Sequence, residues 1–142
     1  MRTLIADDSA TVRQKLIQLL EAIDSLEIIG ETEDVPESIE AIRDLRPDVV
    51  ILDINMPGGS GIDVLEDVKK QNHPPIVIMF TSHSSEQMRE RCFQAGADYF
   101  FHKSTEFDEL VDVLRGLAGC SAPARSRNGG KQKKPAIIEG RP

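Results

Sequence analysis

The chain lacks any apolar stretch able to cross a membrane. Its longest runs, at residues 49–52 and 76–80, fall far short of the roughly 20 residues a spanning helix needs. No secretory leader is expected either. The opening Met1-Arg2-Thr3-Leu4-Ile5 soon meets Asp7 and Asp8, with no long apolar segment and no small-residue cleavage site. A cytoplasmic protein without membrane insertion is expected. No CxxC pair occurs: Cys92 and Cys120 stand apart, and in a reducing compartment both should be free thiols. No cysteine–histidine cluster has zinc spacing, and His73 and His102 read as surface residues. Basic charge is scarce over most of the length. Residues 1–118 carry 11 Lys and Arg against 23 Asp and Glu, a net of −12; residues 119–142 carry six basic against one acidic, a net of +5. An acidic body argues against direct nucleic-acid binding and suits a cation site where its carboxylates converge.

What the 142 residues do contain is alternation. Residues 3–6 form a short apolar run, and Val12, Leu16, Leu19, Leu20 and Ile23 then recur at helical spacing. Residues 27–31 read as a second strand and 36–45 as a helix, with Pro36 suited to a first turn. Residues 48–52 (DVVIL), after Asp48, and 76–80 (IVIMF) are β-branched or apolar, typical of strands buried on both faces. Between them lie a Pro-Gly-Gly-Ser-Gly loop at 57–61 and a helix marked by Ile62, Leu65 and Val68. A helix over 86–95 stops at Gly96, a strand spans 98–101, and Phe107, Leu110, Val111 and Leu114 stripe a last helix. Five strands and five helices in strict alternation imply an α/β fold: a doubly wound parallel sheet with helices on both faces and right-handed crossovers. Ligands of such sheets bind at the carboxyl ends of the strands.

The residues at those ends are chemically coherent. Asp7 and Asp8 follow the first strand, Asp53 ends the third, Thr81 and Ser82 end the fourth, and Lys103 lies beyond the fifth. Carboxylates held close together force protons onto one another unless a cation intervenes. Mg²⁺ (or Mn²⁺) favours oxygen ligands: Asp8 and Asp53 directly, Asp7 through water, and the Asn55 backbone carbonyl two residues from Asp53. A carboxylate placed there can attack a phosphoryl group, with Lys103 neutralising the transferring oxygens and Thr81 donating a hydrogen bond. Each feature also has a plain reading. An Asp-Asp pair can cap a helix, Asp53 can belong to a turn, Thr81-Ser82 can be a cap, and Lys103 can pair with any acid.

Four motifs, "LIADDS" at 4–9, "VVILDINMPGGSG" at 49–61, "IVIMFTS" at 76–82 and "AGADYFFHKS" at 95–104, resemble the receiver domain of two-component response regulators. The resemblance covers residues 2 to about 118. It implies a flavodoxin-like sheet of strand order 2-1-3-4-5 and a phosphoacceptor switch. It implies phosphorylation of Asp53 by a sensor histidine kinase or a histidine phosphotransfer protein. Asp7 and Asp8 match the acidic metal pair, Asn55 the backbone ligand, Thr81 the switch hydroxyl, Lys103 the lysine and Phe100 the aromatic switch position. The surface affected is the helix over 86–95, the fifth strand and the last helix, which would bind a protein target only when phosphorylated. Phe100 departs from the commoner tyrosine, so packing alone must distinguish its two positions, unless it is simply core. Tyr99 alternates to the other side of its strand. Ser104 stands where the family often has a cis proline; a cis bond before serine costs about 3 kcal/mol, which leaves the loop geometry open. Ser104 or Thr105 is a candidate cap for the last helix. His83, two residues after Thr81, is a candidate for setting phosphoryl lifetime together with Asn55, or else a solvated loop residue.

Residues 1–118 are thus expected to be the receiver and 119–142 a flexible basic tail. Within the tail, IEGR at 138–141 resembles an engineered protease-cleavage sequence. A phosphate shuttle or sink is the alternative function. A metal-dependent phosphatase ranks lowest, because that chemistry often places a second acid where Asn55 stands. The protein is expected to be a monomer or weak dimer and not a turnover enzyme.

Overall fold

Val49–Leu52 dictates the architecture. All four of its residues are buried, so the sheet must be covered on both sides. In the computed structural model, which describes residues 1–82 and 85–119, this strand is the centre of a five-stranded sheet. Among the described residues the elements are β1 (Arg2–Ala6), α1 (Ala10–Leu20), β2 (Glu27–Thr32), α2 (Val35–Leu45), β3 (Val49–Leu52), β4 (Asn55–Met56), β5 (Gly59–Ser60), α3 (Gly61–Lys69), β6 (Ile76–Thr81), α4 (Glu86–Gln94), β7 (Tyr99–His102) and α5 (Phe107–Leu117). The sheet runs β2-β1-β3-β6-β7, and every pairing within it is parallel. Counting only its own strands, this is the expected 2-1-3-4-5 order.

Alternation along the strands divides the core in two. Val50, Leu52, Val77, Met79 and Phe100 pack with Ile42, Leu65 and Phe93 from α2, α3 and α4. Val49, Ile51, Ile78, Phe80 and Phe101 pack with Leu16 and Leu20 of α1 and Leu110 and Leu114 of α5. Each fully buried aliphatic side chain contributes about 1.5–3 kcal/mol, so a one-residue slip in any strand would exchange the two cores at prohibitive cost. Cys92 belongs to the first core, and burial pushes its thiol up to about 11. It is an inert, free thiol there, as expected.

Two details differ from the sequence expectation, and a third was left open by it. The 57–61 segment is part of a miniature hairpin, in which β4 and β5 pair antiparallel. Its turn places Gly58 at φ 89° and Gly59 at φ 143°, where a side chain would be strained. Neither Ser104 nor Thr105 caps α5. The N-cap is Glu106, without a side-chain cap bond. The Ser104 hydroxyl lies 2.9 Å from His102 Nδ1, while Glu106 Oε1 accepts from the His102 N–H at 2.7 Å. Among the described residues no peptide bond is cis, so Lys103-Ser104 is trans. The expectations for His83, Cys120 and the tail fall outside the described residues.

Candidate functional site

The order β2-β1-β3 reverses direction beside β1, and the segments leaving β1 and β3 meet there. The Asp53 N–H donates to Ala6 O at 2.9 Å, which extends the β1–β3 ladder by one bond and sets the first residue after Leu52 against the loop after β1. Asp53 is 4 % exposed. Its Oδ1 accepts from the Ile54 N–H at 2.8 Å and its Oδ2 from Lys103 Nζ at 3.0 Å.

Glycine is required behind this aspartate. The Gly61 N–H donates to Ile54 O at 2.7 Å, drawing the start of α3 against the Asp53 main chain. A Cβ on Gly61 would lie 1.9 Å from the Asp53 carbonyl oxygen and 2.9 Å from Ile54 Cα, both backbone atoms that cannot swing aside. The start of α3 is fixed by a reciprocal cap: Ser60 Oγ accepts from the Ile62 N–H, and Asp63 Oδ2 from the Ser60 N–H.

Every polar atom of Asp7 is engaged. Its N–H donates to Thr32 O at 3.0 Å, and its carbonyl accepts from Arg13 Nη1 at 2.6 Å. Its Oδ1 accepts from the Ser9 N–H at 2.8 Å, and Oδ2 pairs with Lys103 Nζ at 2.8 Å. Asp8, the next residue, is exposed. One oxygen from each of Asp7, Asp8 and Asp53 lies within 4.8 Å of the others. Burial raises the Asp7 carboxyl above the usual carboxylate range, against the opposing pull of Lys103 and the Ser9 N–H. For Lys103 burial works against the charge, but Asp7 and Asp53 overcome it and hold the ammonium above its ordinary value. The lysine therefore stays charged at neutral pH and bridges the two buried acids. The donors that face one another are hard oxygens in excess of the available positive charge. That set fits a divalent cation of the Mg²⁺ kind.

Thr81 ends β6 and is fully buried; its carbonyl accepts from the Lys103 N–H at 2.9 Å, which ties the two residues across adjacent strand ends. Phe100 points to the α4 side, 2 % exposed, with its ring centroid 6.4 Å from that of Phe93. Tyr99 lies with the opposite core, as the alternation requires. Asn55 opens β4 and is exposed. His73 is exposed, and His102 is half-buried at the end of β7.

Sequence reasoning missed Arg13. The buried positions of α1 are Arg13, Leu16 and Leu20, so an arginine occupies one place in an otherwise apolar stripe. That misplaced charge was the available signal.

The chain matches the response regulator receiver domain over residues 3–115, and it belongs to that family. It is 33% identical over 116 residues to the response regulator GacA of Pseudomonas viridiflava, covering 81% of this chain and 54% of the relative. It is 34% identical over 113 residues to protein-glutamate methylesterase/protein-glutamine glutaminase 2 of Koribacter versatilis, covering 78% and 31%. The chain thus spans about half the length, or less, of these curated relatives. Among solved structures it is similar to the response regulator domain of Thermotoga maritima CheB, with a TM-score of 0.73 at 30% identity, covering 83% of this chain and 92% of that one. It is also similar to the CheX-CheY-BeF3-Mg complex from Borrelia burgdorferi, with a TM-score of 0.74 at 27% identity, covering 83% and 87%. Receiver domains are phosphoacceptor signalling domains rather than enzymes in the ordinary sense, and they take their phosphoryl group from histidine kinases or phosphotransfer proteins. Among the described residues no helix is long and apolar enough to cross a membrane.

Proposed function

We propose that residues 1–118 form a phosphorylation switch in which Asp53 takes a phosphoryl group from a phosphohistidine. The observation that carries this reading is the bridged trio: Asp53 and Asp7 share one ammonium, with Asp8 exposed beside them. A carboxylate oxygen of Asp53 forms the new P–O bond as the P–N bond of the donor breaks, and that electron pair stays on the departing imidazole. A Mg²⁺ ion, held by Asp8, Asp53 and the Asn55 carbonyl with Asp7 acting through water, would neutralise charge on the transferred group. Lys103 supplies a second positive charge from the inner side, already desolvated and therefore effective. The Thr81 hydroxyl donates to the attached phosphoryl.

Removing Lys103 from its carboxylate partners and drawing Thr81 inward shifts β6 and β7 relative to α4. Phe100, packed on Phe93 of α4, transmits that shift by shape alone. The surface made by α4, β7 and α5 is then the one a protein target reads. The test uses a small acyl-phosphate donor and Mg²⁺, followed by intact mass. The wild type gains one phosphoryl group, and Asp53→Asn gains none. Equal labelling of the two proteins would remove Asp53 from this role. A phosphate shuttle would instead return the group to a histidine protein with no phosphorylation-dependent target.

A further inference from the structure

We infer that Arg13 is a positioning residue that fixes the backbone at Asp7, and so sets how the Asp7 and Asp8 carboxylates are presented to a divalent cation. The inference rests on the metal reading given above. Arg13 is 9 % exposed and lies on the buried stripe of α1. A guanidinium cannot shed its proton, so one buried there needs hydrogen-bond and charge partners. Its Nη1 donates to the Asp7 carbonyl at 2.6 Å, and its Nε donates to Glu31 Oε1 at 2.9 Å. Its Nη2 lies 3.9 Å from Glu33 Oε2.

The fork therefore joins the end of β1 to the end of β2 and the residue beyond it. The Asp7 N–H is tied to Thr32 on the same neighbouring strand. With Arg13 on its carbonyl, Asp7 is tied through both of its flanking peptides, the second of which joins it to Asp8. That second peptide sets the angle between one buried and one exposed carboxylate. Glu31, with Glu33 close by, holds the guanidinium in place.

Charge and geometry make opposite predictions, which is what allows a test. If Arg13 matters only as a nearby positive charge, removing it strengthens cation binding. If it positions the loop, removing it weakens binding. Outer residues that orient ligands typically contribute about ten- to a hundredfold to metal affinity. Calorimetric Mg²⁺ titration of Arg13→Gln should show weakening at the lower end of that range, about tenfold. Hydrogen exchange at the Asp8 and Ser9 amides should accelerate in the metal-free protein. Arg13→Lys keeps the charge without the fork and should also bind Mg²⁺ more weakly than wild type. It serves as the primary variant if Arg13→Gln does not fold. At saturating Mg²⁺ the phosphorylation of Asp53 in Arg13→Lys should return toward the wild-type rate. Unchanged or tighter Mg²⁺ binding in the folded variant, or unchanged exchange at Asp8 and Ser9, overturns the inference. Should wild-type protein bind no Mg²⁺, the metal reading of the site fails. The exchange data would then still decide whether Arg13 orders the loop.

Discussion

The acidic edge has an inner and an outer side, and they are held by different things. On the inner side Asp7, Asp53 and Thr81 are almost closed to solvent and tied to neighbouring strands by main-chain hydrogen bonds. On the outer side Asp8 and Asn55 are exposed. The inner groups are placed by the fold before any ligand arrives. The outer groups face solvent, where the proposed function would have a cation and a phosphoryl donor approach. A site built this way holds Asp53 fixed while leaving one face open, and each side should respond differently to mutation.

Lys103 is where the comparison breaks most severely. Its ammonium is shared by two acids whose side chains are 4 % and 5 % exposed. Removing one partner of a buried ion pair costs about 3–5 kcal/mol, because the remaining charges lose compensation. Lys103→Met should lose about 3 kcal/mol of stability at neutral pH without metal, read by urea denaturation, and recover part of it with Mg²⁺. The pH dependence has a defined sign. The folded-state value of Lys103 lies above 10.5, so its contribution is complete below that pH and is lost as pH rises through the folded value. Wild-type stability should therefore fall more steeply above pH 10.5 than that of Lys103→Met. Parallel alkaline curves for the two proteins would show that the bridge is not a stabilising pair.

Gly61→Ala attacks the same inner side from behind. The added carbon meets the Asp53 carbonyl at 1.9 Å, so either β3 or the start of α3 must move. Overpacking of this kind costs about 1–3 kcal/mol. The expected outcome is a loss within that range together with slowed phosphorylation of Asp53. A variant that folds with wild-type stability and labels at the wild-type rate would mean the loop yields without disturbing the nucleophile.

Much of this was legible in the sequence, and the exceptions have physical causes. The two-sided sheet follows from runs such as 48–52, whose lack of alternation only a doubly covered strand explains, whereas the strand order came from the family resemblance. That Asp7, Asp8, Asp53, Thr81 and Lys103 gather at one edge of the sheet was legible because each ends or closely follows a strand. The β4–β5 hairpin was not, since two-residue strands carry no periodicity, and glycines at 58 and 59 signal a turn without saying what it joins. The cap of α5 was misread because Ser104 spends its hydroxyl on His102, a contact with no helical pattern. Arg13 was missed for a related reason. Its partners, the Asp7 carbonyl, Glu31 and Glu33, are a loop carbonyl and residues of another strand or just beyond it, and only tertiary structure brings them together.

The smallest effects on stability sharpen the comparison most. Asp7 and Asp8 are adjacent and chemically identical, so Asn at each position isolates the environment. Burial already favours the uncharged form of Asp7, and an asparagine keeps an oxygen for the Ser9 N–H. Sign follows from that shift: a carboxyl whose folded value is raised destabilises the fold once ionised, as it is at neutral pH in the unfolded chain. Asp7→Asn should therefore raise metal-free stability, read as a higher Tm. Asp8→Asn, on an exposed residue, should stay within about 0.5 kcal/mol of wild type. Both should weaken Mg²⁺ binding. An acid retained at position 7 against the preference of its surroundings is then explained by the cation it serves, not by the fold. If Asp7→Asn instead lowers the Tm, the carboxylate belongs to the scaffold through Lys103, and the line between inner and outer sides moves outward to Asp8 alone.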